Sequence, residues 1–244
     1  MKYKVPTFCV AMLTLLVVSI LSAADDKKPA KAVTPESRPA KWWSTRHAQK
    51  LKQLKSRKSV DLLMIGDSIT HGWEGRGKQV WSKYYAKRNA FNIGYSGDRT
   101  EHVIWRLQHG EVEGISPKLA VIMIGTNNTG HRQDPPAETA AGIKMILAEM
   151  KKRLPRTKVL LLAVFPRGAT ADDRLRKINT GINKIIKGYA NGKDVFFLNI
   201  NPTFLDDNGK LPKAIMPDLL HPQEKGYRMW AEAMEPTIKK LIGG

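Results

Sequence analysis

The sequence predicts an α/β protein in which five parallel strands form the middle layer of a three-layer α/β/α sandwich. Apolar segments typical of strands alternate with segments of helical periodicity from residue 60 onward, and residues 119–124 are apolar without interruption. Alternation of this kind implies parallel strands joined by right-handed crossovers. A strand covered by helices on both faces reads as a continuous apolar run. The length of 244 residues suits one domain with a sizeable core.

The elements follow one another in a regular order. We predict strands at residues 60–65, 90–93, 119–124, 159–165 and 195–200, and helices at about 79–88, 100–108, 136–153, 172–190 and 223–241. Ahead of them, aromatic and apolar residues recur at spacings of three and four within residues 41–58, among many Lys and Arg. This spacing indicates an amphipathic helix, either packed on the domain or lying on an anionic surface. We favour the packed helix with a solvated basic face.

The N-terminus has the pattern of an export signal. Lys2 and Lys4 precede an apolar run over residues 5–21, and small residues at 22–24 form a cleavage pattern. Residues 1–24 are therefore predicted to be a signal peptide of a secreted or periplasmic protein. An uncleaved membrane anchor is the alternative, because the run is near the length of a membrane span.

The rest of the chain is predicted to be a linker and a single domain. Residues 25–40 are rich in Lys, Pro and Ala without apolar periodicity, which indicates a flexible linker. Residues 41–244 then form the folded domain. The only cysteine, Cys9, lies in the signal segment, so the mature chain has no thiol to oxidise after export.

The charge is strongly basic. Lys and Arg number 41 against 22 Asp and Glu, which gives a formal net charge of +19. Charge of this size bears on partners and solubility rather than on the fold. A solvated surface is the ordinary interpretation, and an anionic polysaccharide or membrane surface is the more specific one. We expect no nucleic-acid partner, since the sequence shows no binding motif or aromatic stacking platform.

Residues with catalytic chemistry follow the predicted strands. Ser68 comes after the first strand, Gly97 after the second and Asn127 after the third, while Asp218 and His221 precede the last helix. In a parallel sheet the carboxyl ends of the strands lie on one rim, where ligands bind. We therefore expect these residues to lie close together.

The residue types match those needed for attack on an ester. A serine hydroxyl needs a base within hydrogen-bond reach, and that base needs an orienting group, so His221 would activate Ser68 and Asp218 would hold His221. The oxyanion that forms needs preorganised donors. The backbone N–H groups of Ser68 and Gly97 and the side-chain amide of Asn127 suit that role, with the neighbouring asparagine competing for it.

These blocks resemble a known family. Gly66-Asp67-Ser68, Gly97, Asn127 and the segment 218–221 match the four blocks of the SGNH (GDSL) hydrolases. Over about residues 42–241 the chain is most similar to the catalytic subunits of platelet-activating-factor acetylhydrolase, as seen in segments 92–100, 102–107, 125–128 and 166–168. The resemblance implies a flavodoxin-like sheet and no metal or organic cofactor. It also implies Ser68 as nucleophile, Asp218 and His221 completing the triad, and Gly97 and Asn127 in the oxyanion hole.

The sequence thus predicts a serine ester hydrolase that removes short acyl groups, above all acetyl, from carbohydrate esters. The export signal, the basic charge and the distinct loop at residues 201–217 depart from the similar subunits, so the resemblance carries over the catalytic residues but neither the acetyl preference nor the lipid substrate. A lipid-directed acetylhydrolase or lysophospholipase is one alternative, and a non-catalytic glycan-binding protein on this fold is another. The scattered histidines show no metal-ligand spacing. The resemblance also allows a homodimer, although the sequence itself shows no interface.

Overall fold

The computed structural model describes residues 1–3 and 30–243. Within these residues the strands are β1 (Leu62–Gly66), β2 (Ala90–Gly94), β3 (Leu119–Met123), β4 (Lys158–Leu162) and β5 (Val195–Leu198). The helices are α1 (Lys41–Ser56), α2 (Ser68–His71), α3 (Lys78–Tyr84), α4 (Thr100–Gln108), α5 (Pro136–Arg153), α6 (Arg174–Ile186) and α7 (Glu224–Ile242). The predicted order of strands and helices is confirmed, with ends that differ by a few residues.

The strands form one parallel sheet in the order β2-β1-β3-β4-β5. This is the flavodoxin-like order, in which the chain first moves from β1 to β2 and then returns past β1 to β3. The reversal leaves a crevice between the carboxyl ends of β1 and β3. The loops that follow β1, β2 and β3 therefore meet at that crevice.

Apolar side chains alternate between the two faces of the sheet. In β1, Leu63 and Ile65 join a buried cluster with α1, α4, α5 and α6. Leu62 and Met64 join a second cluster on the opposite face with α3 and α7. Both faces of the sheet are covered, which confirms the three-layer sandwich and explains the continuous apolar runs of the strands.

Helix α1 packs on the domain through its second tryptophan. The Trp43 side chain is 1% exposed, and its Nε1 donates a hydrogen bond of 2.8 Å to Asp98 Oδ1. The adjacent Trp42 is 44% exposed. The helix thus connects the segment ahead of β1 to the loop that follows β2.

The prediction of a flexible linker over residues 25–40 is wrong for residues 30–40, which pack on the domain and are called the N-terminal arm below. Ala32 is fully buried, and its carbonyl accepts a hydrogen bond of 2.8 Å from Thr100 Oγ1. A Cβ atom on Gly142 would lie 2.4 Å from that carbonyl, so α5 admits the arm only because it lacks a side chain there. Composition indicated a linker, whereas a small residue facing a glycine allows close packing.

The rest of the N-terminal prediction falls on residues 4–29, which lie outside the described residues. The signal peptide at 1–24 and the first part of the linker therefore stay predictions. Among the described residues, no helix has the length and apolar character needed to cross a membrane.

Replacement of Trp43 by Ala tests the anchoring of α1. We expect Trp43→Ala to lower the free energy of unfolding by about 3–5 kcal/mol, because it removes a buried aromatic side chain and leaves Asp98 without one donor. Urea denaturation of both proteins measures the change. The matched control is Trp42→Ala, one residue earlier and exposed, which should stay within about 1 kcal/mol of the parent. Equal effects at the two positions would contradict the packing.

Candidate active site

Three of the predicted residues form one hydrogen-bonded chain at the carboxyl rim of the sheet. Ser68 Oγ lies 2.8 Å from His221 Nε2, across 153 residues of sequence. His221 Nδ1 lies 2.6 Å from Asp218 Oδ2. The order hydroxyl, imidazole, carboxylate is the geometry that activates a serine nucleophile.

The turn from β1 into α2 presents Ser68. Asp67 Oδ1 caps this turn by accepting a 2.9 Å hydrogen bond from the Ile69 N–H. Gly66 is required just before it, since a Cβ there would lie 2.2 Å from Thr70 Oγ1 and 2.4 Å from the Met123 carbonyl. Ser68 opens the helix, so its own N–H has no acceptor in the preceding turn.

The loop before α7 presents His221 and its carboxylate. Asp218 Oδ1 accepts hydrogen bonds from the backbone N–H groups of Leu220 and His221, at 3.1 and 2.7 Å. Leu219 takes a left-handed conformation with φ of 57°, and its carbonyl accepts a 3.0 Å bond from Gly168 N–H. Partial burial alone would raise the pKa of Asp218, but the hydrogen bonds from His221 outweigh it and hold that pKa below its usual value.

The predicted oxyanion donors lie on the neighbouring loops. Gly97 has a φ of 76°, a conformation that favours glycine. In the part of the chain that the structure describes, the N–H groups of Ser68 and Gly97 donate to no other protein group. Asn127 Nδ2 donates to the Asp98 carbonyl at 2.9 Å, which ties it to the loop of Gly97 and leaves its second amide hydrogen for a ligand.

The neighbouring asparagine has a different role. Asn128 Oδ1 accepts from the Thr100 N–H at 3.0 Å, and its Nδ2 donates to Thr100 Oγ1 and Asp134 Oδ2, both at 3.1 Å. With both ends of its amide in use, Asn128 holds the start of α4 against the turn that follows β3. Asn127 is therefore the asparagine left to act as a donor.

An open cleft of about 530 Å³ adjoins Ser68 and His221. Sequence reasoning missed most of its lining, which includes His71, Gly72, Glu74, Gly75, Arg76, Ser96 and Tyr227. The one sequence feature that could have identified this lining is its position, because the segment 71–76 directly follows the turn that presents Ser68. No pattern of residue types there identifies a binding surface.

The wall of this cleft carries positive charge. Arg46 donates two hydrogen bonds of 2.9 Å to the Glu74 carboxylate, and Lys50 donates a third of 2.7 Å. Burial, followed by the charge of Arg46, lowers the pKa of His71 to about 4. His71 is therefore neutral near pH 7, and its Nδ1 lies 3.0 Å from Ser96 Oγ.

One group of side chains among the described residues has a spacing compatible with a metal ion, namely Glu36, Glu101 and His102. Glu101 already forms ion pairs of 2.6 Å with Arg99 and 2.5 Å with Arg132. Two guanidinium groups at this carboxylate oppose a bound cation.

The parallel α/β fold and the serine–histidine–aspartate chain define the class of α/β serine hydrolases. The profile of the GDSL-like lipase/acylhydrolase family matches residues 64–229. The chain belongs to this family, and it is a hydrolase.

Two curated relatives are similar along most of their length. Platelet-activating factor acetylhydrolase IB subunit alpha1 from Bos taurus is 31% identical over 224 residues, covering 89% of this chain and 92% of the relative. The subunit of the same name from Homo sapiens is 32% identical over 189 residues, covering 76% and 78%.

Solved structures share the fold. A GDSL-like lipase from Bacteroides thetaiotaomicron superposes with a TM-score of 0.67 at 22% identity, covering 80% of this chain and 97% of that one. An acetylxylan esterase from Geobacillus stearothermophilus gives a TM-score of 0.59 at 21% identity, covering 76% and 94%. At these identities the likeness concerns the fold.

The free energy of unfolding of the protein depends on pH through Asp67. Burial raises the pKa of Asp67 to about 7, and its Oδ2 has no hydrogen-bond partner among the described residues. Between about pH 4 and 7 the folded protein then keeps a proton that the unfolded chain releases, so this group stabilises the fold at low pH and loses that contribution as pH rises.

We expect Asp67→Asn, which cannot ionise, to gain stability relative to the parent as pH rises from 4 to 7. The gain should reach up to about 4 kcal/mol, the equivalent of three pKa units. Urea unfolding at pH 4.5, 6 and 8 measures it, with the exposed Asp207→Asn as control. A difference that stays constant with pH would show that Asp67 ionises normally.

Proposed function

We propose that this hydrolase removes short acyl groups, acetyl foremost, from carbohydrate esters. The observation that carries the proposal is the hydrogen-bonded chain from Ser68 through His221 to Asp218, opening onto a polar cleft. A binding protein would have no need of these three groups in this arrangement. We assign Ser68 as the nucleophile, His221 as the general base and Asp218 as its orienting partner.

The reaction follows from this geometry. Ser68 Oγ attacks the ester carbonyl while its proton passes to His221 Nε2, and Asp218 stabilises the resulting imidazolium. The negative charge on the carbonyl oxygen is met by the N–H groups of Ser68 and Gly97 and by the amide of Asn127. The tetrahedral species collapses as the alcohol leaves with the proton from His221. A water molecule, activated by the same histidine, then releases the acid from Ser68.

The preference for acetyl and for carbohydrate rests on the cleft and on the relatives. Polar groups such as His71, Ser96 and Arg76 line the cleft, and such groups suit the hydroxyls of a sugar better than a long acyl chain. The similar proteins include an acetylhydrolase and an acetylxylan esterase, named for the release of acetyl groups. Both features support acetyl esters of a glycan.

We further propose that the glycan is anionic. Glu74 is the one carboxylate among the described residues that line the cleft, and Arg46 and Lys50 more than neutralise it. Arg76 also lines the cleft, and its guanidinium has no ion-pair partner in the described part of the chain. A uronate or sulfate next to the acetyl ester would give Arg76 a partner. Export through the predicted signal peptide would bring the enzyme to such a glycan.

A lipid ester is the second candidate, favoured by Trp42. This ring is 44% exposed on the basic helix α1, and the guanidinium of Arg38 lies 5.4 Å from its centre. An exposed tryptophan among basic groups suits the surface of an anionic bilayer. Binding of the parent and of Trp42→Ala to anionic liposomes separates this candidate from the carbohydrate esterase, since a lipid-directed acetylhydrolase would also prefer acetyl esters.

Hydrolysis of p-nitrophenyl acetate, butyrate and octanoate by residues 25–244 tests the reaction. We expect the acetate to react fastest, and Ser68→Ala to lose about three orders of magnitude or more in kcat. A preference for octanoate would instead favour an enzyme that acts on lipid esters with long acyl chains. If the parent and Ser68→Ala are equally inactive on every ester, the esterase proposal fails and a glycan-binding protein is favoured.

Arg76→Ala tests the anionic glycan. We expect its KM to rise about 5–20-fold on an acetylated polyuronate, because one charge-assisted contact in the cleft is lost. The KM on an acetylated neutral xylooligosaccharide should stay within about twofold. Acetate release measures both, and the effect should shrink at high salt. Lys78→Ala, two residues away, is the matched control, and equal KM changes on the two substrates would argue against charge recognition.

A further inference from the structure

The N-terminal arm lies across the loop that carries Gly97. Arg38 Nη1 donates a hydrogen bond of 2.6 Å to the Ser96 carbonyl and lies 3.6 Å from Asp98 Oδ1. These groups are separated by 58 residues or more in sequence. The contact therefore joins the segment ahead of the catalytic domain to one of the predicted oxyanion donors.

The atom that Arg38 contacts belongs to the same peptide group as the Gly97 N–H. A peptide bond is planar and trans, so the carbonyl oxygen and the N–H hydrogen point in opposite directions. A hydrogen bond that fixes the Ser96 oxygen thus also fixes the direction of the Gly97 hydrogen. It also draws electron density toward the oxygen, which makes the N–H a stronger donor.

The guanidinium lies against Gly97 itself. A Cβ on Gly97 would be 2.9 Å from Arg38 Nη1 and 3.2 Å from Nη2, so only a glycine leaves room for the charge at this place. The Arg38 side chain is 23% exposed, and it is therefore partly shielded from solvent. Its Nη1 bonds to the Ser96 oxygen, on the opposite side of the peptide from the Gly97 hydrogen, so the charge would act on an oxyanion through this peptide group.

The arm is held in place independently of Arg38. Ala32 is buried and bonded to Thr100 through its carbonyl, and the Glu36 N–H donates to the Glu101 carbonyl at 3.3 Å. These contacts place Arg38 over the loop before any substrate binds. Removal of the guanidinium alone should therefore leave the arm docked.

Asp98 does not need Arg38 as its partner. Its carboxylate already accepts hydrogen bonds of 2.8 Å from Trp43 Nε1 and from Arg106 Nε. Arg38 makes its own short hydrogen bond to the Ser96 carbonyl instead. The chemistry of this contact thus points to the peptide group rather than to a structural ion pair.

We propose that Arg38 is a positioning residue that orients and polarises the Gly97 N–H for the oxyanion, so that the N-terminal arm completes the active site. The inference rests on the proposed esterase function. Arg38 acts through the peptide group and does not contact the reacting atoms. Its effect should therefore appear in the transition state and only weakly in substrate binding.

Arg38→Ala and Arg38→Lys test this role with p-nitrophenyl acetate as substrate. Loss of one oxyanion donor lowers kcat by about two to three orders of magnitude, so loss of its support should lower kcat by about 10–100-fold in Arg38→Ala. KM should stay within about twofold, because the contact matters mainly in the transition state. Arg38→Lys, which keeps one charged donor, should lie between the parent and Arg38→Ala.

Added guanidinium ion at millimolar concentration gives a readout that a purely structural role would not move. It should restore part of kcat in Arg38→Ala and leave the parent and Lys31→Ala unchanged. Lys31 is the matched control, since it is an exposed cation on the same arm. Thermal unfolding of Arg38→Ala should match that of Lys31→Ala.

The outcomes separate this inference from the function on which it rests. If the parent and Ser68→Ala are equally inactive, the esterase proposal fails, and the inference fails with it. If the parent is active and Arg38→Ala matches it in kcat, only the inference is overturned. A fall in kcat that guanidinium does not restore, together with a lower unfolding temperature, would also overturn it and make Arg38 a structural residue.

Discussion

The geometry of the site depends on the hydrogen bonds that the buried residue Asp98 accepts. Its carboxylate accepts from Trp43 Nε1 and Arg106 Nε, and its backbone carbonyl accepts from the side-chain amide of Asn127. Burial raises the pKa of Asp98 to about 6 against the opposing effect of Arg106, so the carboxylate is held in place at a cost. These hydrogen bonds join α1, α4 and the turn that follows β3 to the loop that follows β2. Gly97 lies in that loop, so these hydrogen bonds also limit the directions that its N–H can take.

The segment ahead of β1 is part of the site and not merely a lead-in. One face of α1 supplies Trp43 to Asp98, and the next two turns supply Arg46 and Lys50 to Glu74 on the cleft wall. A single helix thus supports both the loop that carries Gly97 and the wall of the cleft beside Ser68. This arrangement is consistent with a parallel sheet, in which residues at the ends of the strands carry the chemistry and the surrounding helices hold their loops in place.

The sequence predicted those parts that depend on local pattern and topology. Ser68 was placed by its position after the first strand, and Asp218 and His221 by their position before the last helix on the same rim of the sheet; the hydrogen-bonded chain agrees with that reasoning. The arm was mispredicted because Lys, Pro and Ala describe an average composition, whereas its packing depends on one facing glycine in α5. The contact of Arg38 with the Ser96 carbonyl joins residues far apart in sequence, and periodicity carries no information about such a pair.

The two histidines at the cleft differ in their contacts with a carboxylate. Nucleophilic attack would place a positive charge on His221, and that charge needs an anion beside it. Asp218 supplies the anion, because one of its oxygens contacts the ring at 2.6 Å while the other is held by two backbone N–H groups. His71 has Glu74 Oε2 at 3.9 Å, but two cations already hold that carboxylate, and burial is the main cause that lowers the pKa of His71 to about 4. A carboxylate in direct contact with the ring thus distinguishes His221 from His71.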